Sequence, residues 1–143
     1  LTQEEVNRIL RCVRTFHNYA FLSLVYACGL RLGEALALTI DDIDARAMLV
    51  HVRAGKGRKD RTVPLPEDTL KLLRRYWRTD RHPTLLFPAL GRGGKSGRAA
   101  AKATTSMNRA SVQGAFLRAR KGQADAYRII NSVIGEVGHV GAR

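Results

Sequence analysis

Tyr26-Ala27-Cys28-Gly29-Leu30-Arg31-Leu32-Gly33-Glu34-Ala35-Leu36-Ala37-Leu38, YACGLRLGEALAL, sets two charged residues into an otherwise apolar run. From Tyr19 to Cys28 the residues are apolar almost all round, as in a central helix packed on several sides. Gly29 suits its C-terminal cap, because glycine enters the left-handed region without a Cβ penalty. A second short helix is expected from about Arg31 to Leu38. Into this core-like text are set an arginine and, three residues on, a glutamate. A guanidinium withdrawn from water needs an anion to meet, so the pair raises the question of which anion that is.

Working outward, Thr2 and Glu5 have capping-box spacing, Leu1 and Val6 are placed as a staple, and Val6, Ile9, Leu10 and Val13 continue a helix to about Thr15. Thr39 to Asp44 reads as a turn, which accounts for Asp41, Asp42 and Asp44 without a metal. Met48 to Arg53 and Arg61 to Leu65 are β-branched runs around a glycine-bearing basic tip, Ala54 to Asp60, too charged for turn chemistry alone. His51 alternates with Val50 and Val52 and is expected on the exposed face. Glu67 to Arg78 is amphipathic, with Leu70, Leu73 and Trp77 inward and Lys71, Arg74, Arg75 and Arg78 outward. Leu85 to Ala89 is expected as a short strand weakened by Pro88, Leu90 to Thr104 as an aperiodic loop, and Ser106 to Arg120 as a helix through Met107, Val112, Phe116 and Leu117. These elements predict a mainly α fold with a small antiparallel β-sheet (α+β).

Bulk properties narrow the partner. The chain has 143 residues, 45% of them apolar, enough for a real core. It carries 25 Lys and Arg against 12 Asp and Glu, a formal charge of +13, nearly all of it before Lys121. Such an excess points to phosphate-rich nucleic acid. No apolar run approaches the roughly 18 residues of a membrane span, and no basic-then-apolar leader is present. The chain begins at Leu1 rather than methionine, which reads as a cut from something longer. Cys12 and Cys28 match no metal spacing and read as reduced core thiols of a cytoplasmic protein. Ala89 to Ser96 resembles a nucleotide phosphate loop only loosely, since Pro88 spoils the preceding strand and Gly97 the following helix. A basic loop touching DNA is the better reading there.

Taken together, YACGLRLGEALAL, its continuation LTIDDID (Leu38 to Asp44) and GKGRKDRTVPLP (Gly55 to Pro66) resemble the first arginine box and the lysine hairpin of the tyrosine recombinases, the phage-integrase family, in their catalytic domain. SMNRASVQGAFLRARK (Ser106 to Lys121) is similar to the helix before that family's second box. The resemblance covers about residues 1–121, a partial catalytic domain, and leaves 122–143 as a divergent tail. It implies DNA cutting and rejoining through a tyrosine, without cofactor or metal. Arg31 would clamp the scissile phosphate, with Glu34 on the same helical face in support, and Lys56 would protonate the leaving deoxyribose oxygen. Arg58, Lys59, Arg61, Lys95, Arg109 and Arg118 would contact DNA backbone.

The departures matter as much. No His-x-x-Arg occurs, since His17, His51 and His82 come too early and His139 is followed by Val-Gly-Ala. Tyr127 comes before any second box, and no later tyrosine follows. The family's separate N-terminal DNA-clamping domain is not among these residues either. The expectation is a DNA-binding fragment of an integrase, inactive alone, with double-stranded DNA as partner and an intact recombinase or a second copy as a further one. The alternative is a noncatalytic DNA-binding or regulatory module derived from a recombinase. A cytoplasmic, nucleoid-associated location follows from either.

Overall fold

The computed structural model describes residues 2–53, 59–90 and 98–120. Helix α1 (Gln3–Arg11) starts where the Thr2 hydroxyl accepts from Glu5 N–H at 3.1 Å and the Glu5 carboxylate accepts from Thr2 N–H at 2.7 Å. Helix α2 (Phe16–Cys28) opens on Thr15, whose hydroxyl accepts from Asn18 N–H, and stops at Gly29, with φ at 60°. Its Ala20, Phe21, Leu22, Leu24 and Val25 are all buried, because α1, α3 and α4 pack around it. Each of the larger of these, Phe21, Leu22, Leu24 and Val25, contributes about 1.5–3 kcal/mol by its burial.

Helix α3 (Leu32–Leu36) is followed by a 3-10 turn (Ile40–Asp42) and strands β1 (Ile43–Asp44), β2 (Leu49–Val52) and β3 (Arg61–Pro64). They form one antiparallel sheet in the order β1-β2-β3, with Leu49 opposite Pro64 and Val52 opposite Arg61. Two of the three aspartates serve the turns: Asp42 accepts from Thr39 N–H and hydroxyl, and Asp44 accepts from Arg46 and Ala47 N–H. Val50 and Val52 face the core while His51 is exposed, as the alternation requires.

Helix α4 (Glu67–Thr79) buries Leu70 and Leu73 as expected, but the aromatic at its centre is Tyr76, with Trp77 only half-buried. Tyr76 stacks on Phe87 at 5.4 Å and on His17 at 5.8 Å, so the face turned toward α2 is rotated one residue from the expected stripe. The expected strand at Leu85 to Ala89 is not one. It makes only single bridges, Thr39 to Leu85 and Pro88 to Ser106, because each neighbour meets it for a residue or two before turning away. His82 fastens its start: Nδ1 accepts from Thr84 and Leu85 N–H, which leaves Nε2 to donate to Ala103 O at 2.8 Å. After a short helix α5 (Arg98–Ala101), helix α6 spans Arg109–Arg120. Val112, Ala115, Phe116 and Ala119 are buried against the core, whereas Leu117, expected inside, is 51% exposed.

Candidate nucleic-acid interface

Arg31 is the residue at which the chain turns from α2 into α3. Its backbone is extended (φ −72°, ψ 149°), and its N–H donates to Glu34 Oε2 at 2.9 Å. The side chain is half-buried, and among the described residues its guanidinium makes no hydrogen bond or ion pair. Glu34 does not hold the Arg31 fork, contrary to the expectation from their i, i+3 spacing. Its carboxylate instead takes a bidentate grip from Arg61, Nη1 to Oε1 at 2.7 Å and Nη2 to Oε2 at 3.0 Å, and meets Arg31 only at the main chain. The reason is geometric. A capping glutamate points back at the N-cap amide, and the planar fork arriving from β3 matches the carboxylate face left over.

Burial pushes the Glu34 carboxyl upward. The hydrogen bonds from Arg61 and Arg31 N–H, with the two guanidinium charges, outweigh that and hold it below the ordinary value of 4.5. The carboxylate that caps Arg31 N–H is therefore ionised and already engaged by another cation.

A second tie lies on the neighbouring strand. Arg53, which the sequence reading does not single out, donates through Nη2 to Ala37 O and to Asp42 Oδ2, both at 2.9 Å. Its placement just past β2, with three aspartates nearby in sequence, is the signal that could have found it. Val52 and Arg61 are the last pair of the β2–β3 ladder before the basic tip. Both chain ends flanking residues 54–58 are thus fastened to α3 and the turn after it.

Arg109, at the start of α6, brings a further cation to α3. Its Nη2 lies 3.7 Å from the position a Cβ would take at Gly33. Arg31, Glu34, Arg61 and Arg109 accordingly gather about one short helix, although they are spread over 79 residues of sequence. Lys59 is exposed beside β3. Arg118 stands apart: it is nine residues beyond Arg109, roughly 13 Å along the helix axis. It folds back so that Nη1 lies 3.2 Å from a Cβ position at Gly114. Lys56, Arg58 and Lys95 fall outside the described residues, as do Tyr127 and His139.

The remaining candidates take structural places. His17 is buried, its Nε2 3.2 Å from Pro88 O, and burial lowers its pKa to about 4 against the opposing effect of that hydrogen bond. Cys28 is free and half-buried, and burial raises its thiol to about 11. Among the described residues no three His, Cys, Asp or Glu side chains gather as a metal site, and no helix is long and apolar enough to cross a membrane.

Comparison with known proteins places the chain in a family. A profile of the Phage integrase family matches residues 1–131, so the match ends inside the 122–143 tail that the motifs set apart. The provisionally named integrase/recombinase y4qK of Sinorhizobium fredii is 46% identical over 88 residues, 62% of this chain and 29% of that one. Tyrosine recombinase XerA of Pyrococcus furiosus is 37% identical over 89 residues, 59% of this chain and 31% of its own length. A crystal structure of XerA recombinase superposes with a TM-score of 0.62 at 24% identity, over 85% of this chain and 41% of that one, a likeness of fold. The matched stretch is less than a third of each of these curated relatives. With the profile running through both the arginine box and the lysine hairpin, the chain belongs to the phage integrase family, the tyrosine recombinases.

Proposed function

We propose that this chain is the DNA-gripping part of a site-specific integrase, one that binds duplex DNA and holds a single backbone phosphate against Arg31. The observation that carries the reading is the half-buried Arg31 guanidinium, without an anion among the described residues, beside a glutamate already engaged by Arg61. A planar, permanently charged fork in such a place suits two phosphate oxygens. In phosphoryl transfer its worth is greatest as charge redistributes in the transition state.

Lys56 is the general acid for the leaving deoxyribose oxygen in this reading, by its place in the hairpin motif. Arg109, held over Gly33, joins Arg31 at the phosphate, while Arg58, Lys59, Lys95 and Arg118 add contacts to the DNA backbone. Arg61 acts through Glu34 rather than on phosphate, and Glu34 supports Arg31 through its main chain. Residues 1–121 form the partial catalytic domain and 122–143 a separate tail. The chain binds but does not cut alone, since neither a His-x-x-Arg box nor a tyrosine beyond it is present. An intact recombinase supplies the missing chemistry, a second copy of the chain is a further partner, and the complex acts at the nucleoid.

The test is a salt titration of duplex binding. Affinity is expected to fall steeply with salt, and Arg31→Ala to reduce the log–log slope by about 1 uniformly across sequences. A flat salt response, or an Arg31→Ala chain that binds as tightly as the parent, overturns the phosphate clamp. A covalent adduct with nicked duplex overturns the prediction of no cleavage.

A further inference from the structure

The far edge of the sheet carries a surface that the DNA reading does not use. Ile40 and Ile43, on the β1 side, face Leu70, Leu73 and Trp77 of α4 across an open groove of about 380 Å³, with Leu86 closing one wall. β1 is the edge opposite β3, the strand that carries Arg61. The floor is almost wholly apolar, but Arg74, Arg78 and Arg81 stand exposed among the residues that line it. Arg81 lies over the Trp77 ring at 4.8 Å. Among the described residues none of the three makes an ion pair and no aspartate or glutamate lines the groove.

We infer that this groove docks a short acidic, amphipathic peptide segment of a partner protein, with apolar side chains on the isoleucine, leucine and tryptophan floor and carboxylates against Arg74, Arg78 and Arg81. Two requirements converge on that occupant. An apolar floor is covered favourably only by apolar side chains. Three arginines without carboxylates ask for negative charge, and guanidinium forks pair with carboxylates at an interface rim. A nucleic acid strand satisfies the arginines and leaves the floor wet. A bilayer presents a broad face to what is here a concave trough. A second copy of the chain brings the same +13 charge, which opposes self-association.

Trp77 is the single tryptophan of the chain, so its fluorescence reports on the groove directly. The probe is a synthetic peptide with leucines at i, i+3, i+4 and i+7 and glutamates between them, titrated into the full chain. A saturable blue shift of Trp77 emission is expected. It should disappear when the leucines become serine or the glutamates become lysine. Arg74→Gln with Arg78→Gln, both exposed and both good helix formers, should weaken binding roughly tenfold or more, while Arg31→Ala leaves the peptide affinity unchanged. That last variant separates this surface from the DNA site, whose failure would show in duplex binding alone. The inference is overturned by an unresponsive Trp77 or by equal binding of the lysine peptide. It is equally overturned if duplex DNA or phosphatidylserine vesicles give the saturable response instead. A concentration-dependent dimer abolished by Ile43→Asp would assign the groove to a second copy and sink it as well.

Discussion

Replacing Glu34 tests the arrangement at its centre. The Glu34 side chain is only 10% exposed and receives two charge-assisted bonds from Arg61, whose own side chain is 42% exposed. Hydrogen bonds to charged groups contribute about 1.5–3 kcal/mol when shielded and exposed ion pairs about 0.2–1 kcal/mol. A bidentate pair with one shielded and one wet partner falls between, at about 1–2 kcal/mol. Urea unfolding of the parent, Glu34→Gln, Arg61→Ala and the double variant measures this as a coupling energy. The glutamine keeps an acceptor for Arg31 N–H, so the cycle isolates the charge.

Because the folded carboxyl sits below 4.5, the Glu34 contribution is complete above that value and is lost as the pH falls through the depressed one. The coupling should fade in acid, and Glu34→Gln should lack that part of the acid sensitivity. Duplex affinity should hold or rise in Glu34→Gln, since a negative charge leaves the proposed phosphate site and Arg61 is released. Free energies that add within about 0.5 kcal/mol would show that Glu34 and Arg61 are not coupled. A marked loss of duplex binding in Glu34→Gln would mean that the carboxylate orients the Arg31 fork after all.

Two further outcomes follow from the core. His17 has its pKa lowered to about 4, so as the pH falls below 6.5 the unfolded chain takes up the proton first. Stability should decline between pH 6.5 and 4 by as much as about 3 kcal/mol, a decline that His17→Gln removes in urea unfolding followed across that range. Tyr76 is wholly buried, its hydroxyl finds no partner among the described residues, and burial together with the Asp80 charge raises its pKa. Tyr76→Phe should therefore leave the melting temperature unchanged or raise it, and a loss beyond about 1 kcal/mol would show that the hydroxyl has an acceptor.

The short-range features of this protein are legible in its residues because their causes lie within one helical turn or one strand step. The Thr2–Glu5 box, the Gly29 cap, the aspartate turns and the in-out alternation of Val50, His51 and Val52 all follow from neighbours a few positions away. The misplacements come where a distant element chooses. Apolar spacing cannot decide between adjacent Tyr76 and Trp77; the rings of His17 and Phe87 decide it. Leu117 fits the stripe of α6, yet the core ends at Phe116 and Ala119.

The same division runs through the candidate site. An arginine set between two apolar helices raises the question of its anion from the sequence alone, since desolvating a guanidinium is costly. That Glu34 answers to Arg61, 27 residues on, that Arg53 ties the hairpin to Ala37 and Asp42, and that Arg109 comes up against Gly33 are matters of tertiary approach. Periodicity and capping are properties of the local chain and can be read from it. Which carboxylate meets which guanidinium depends on how α3, the sheet and α6 are brought together, and only the folded molecule decides that.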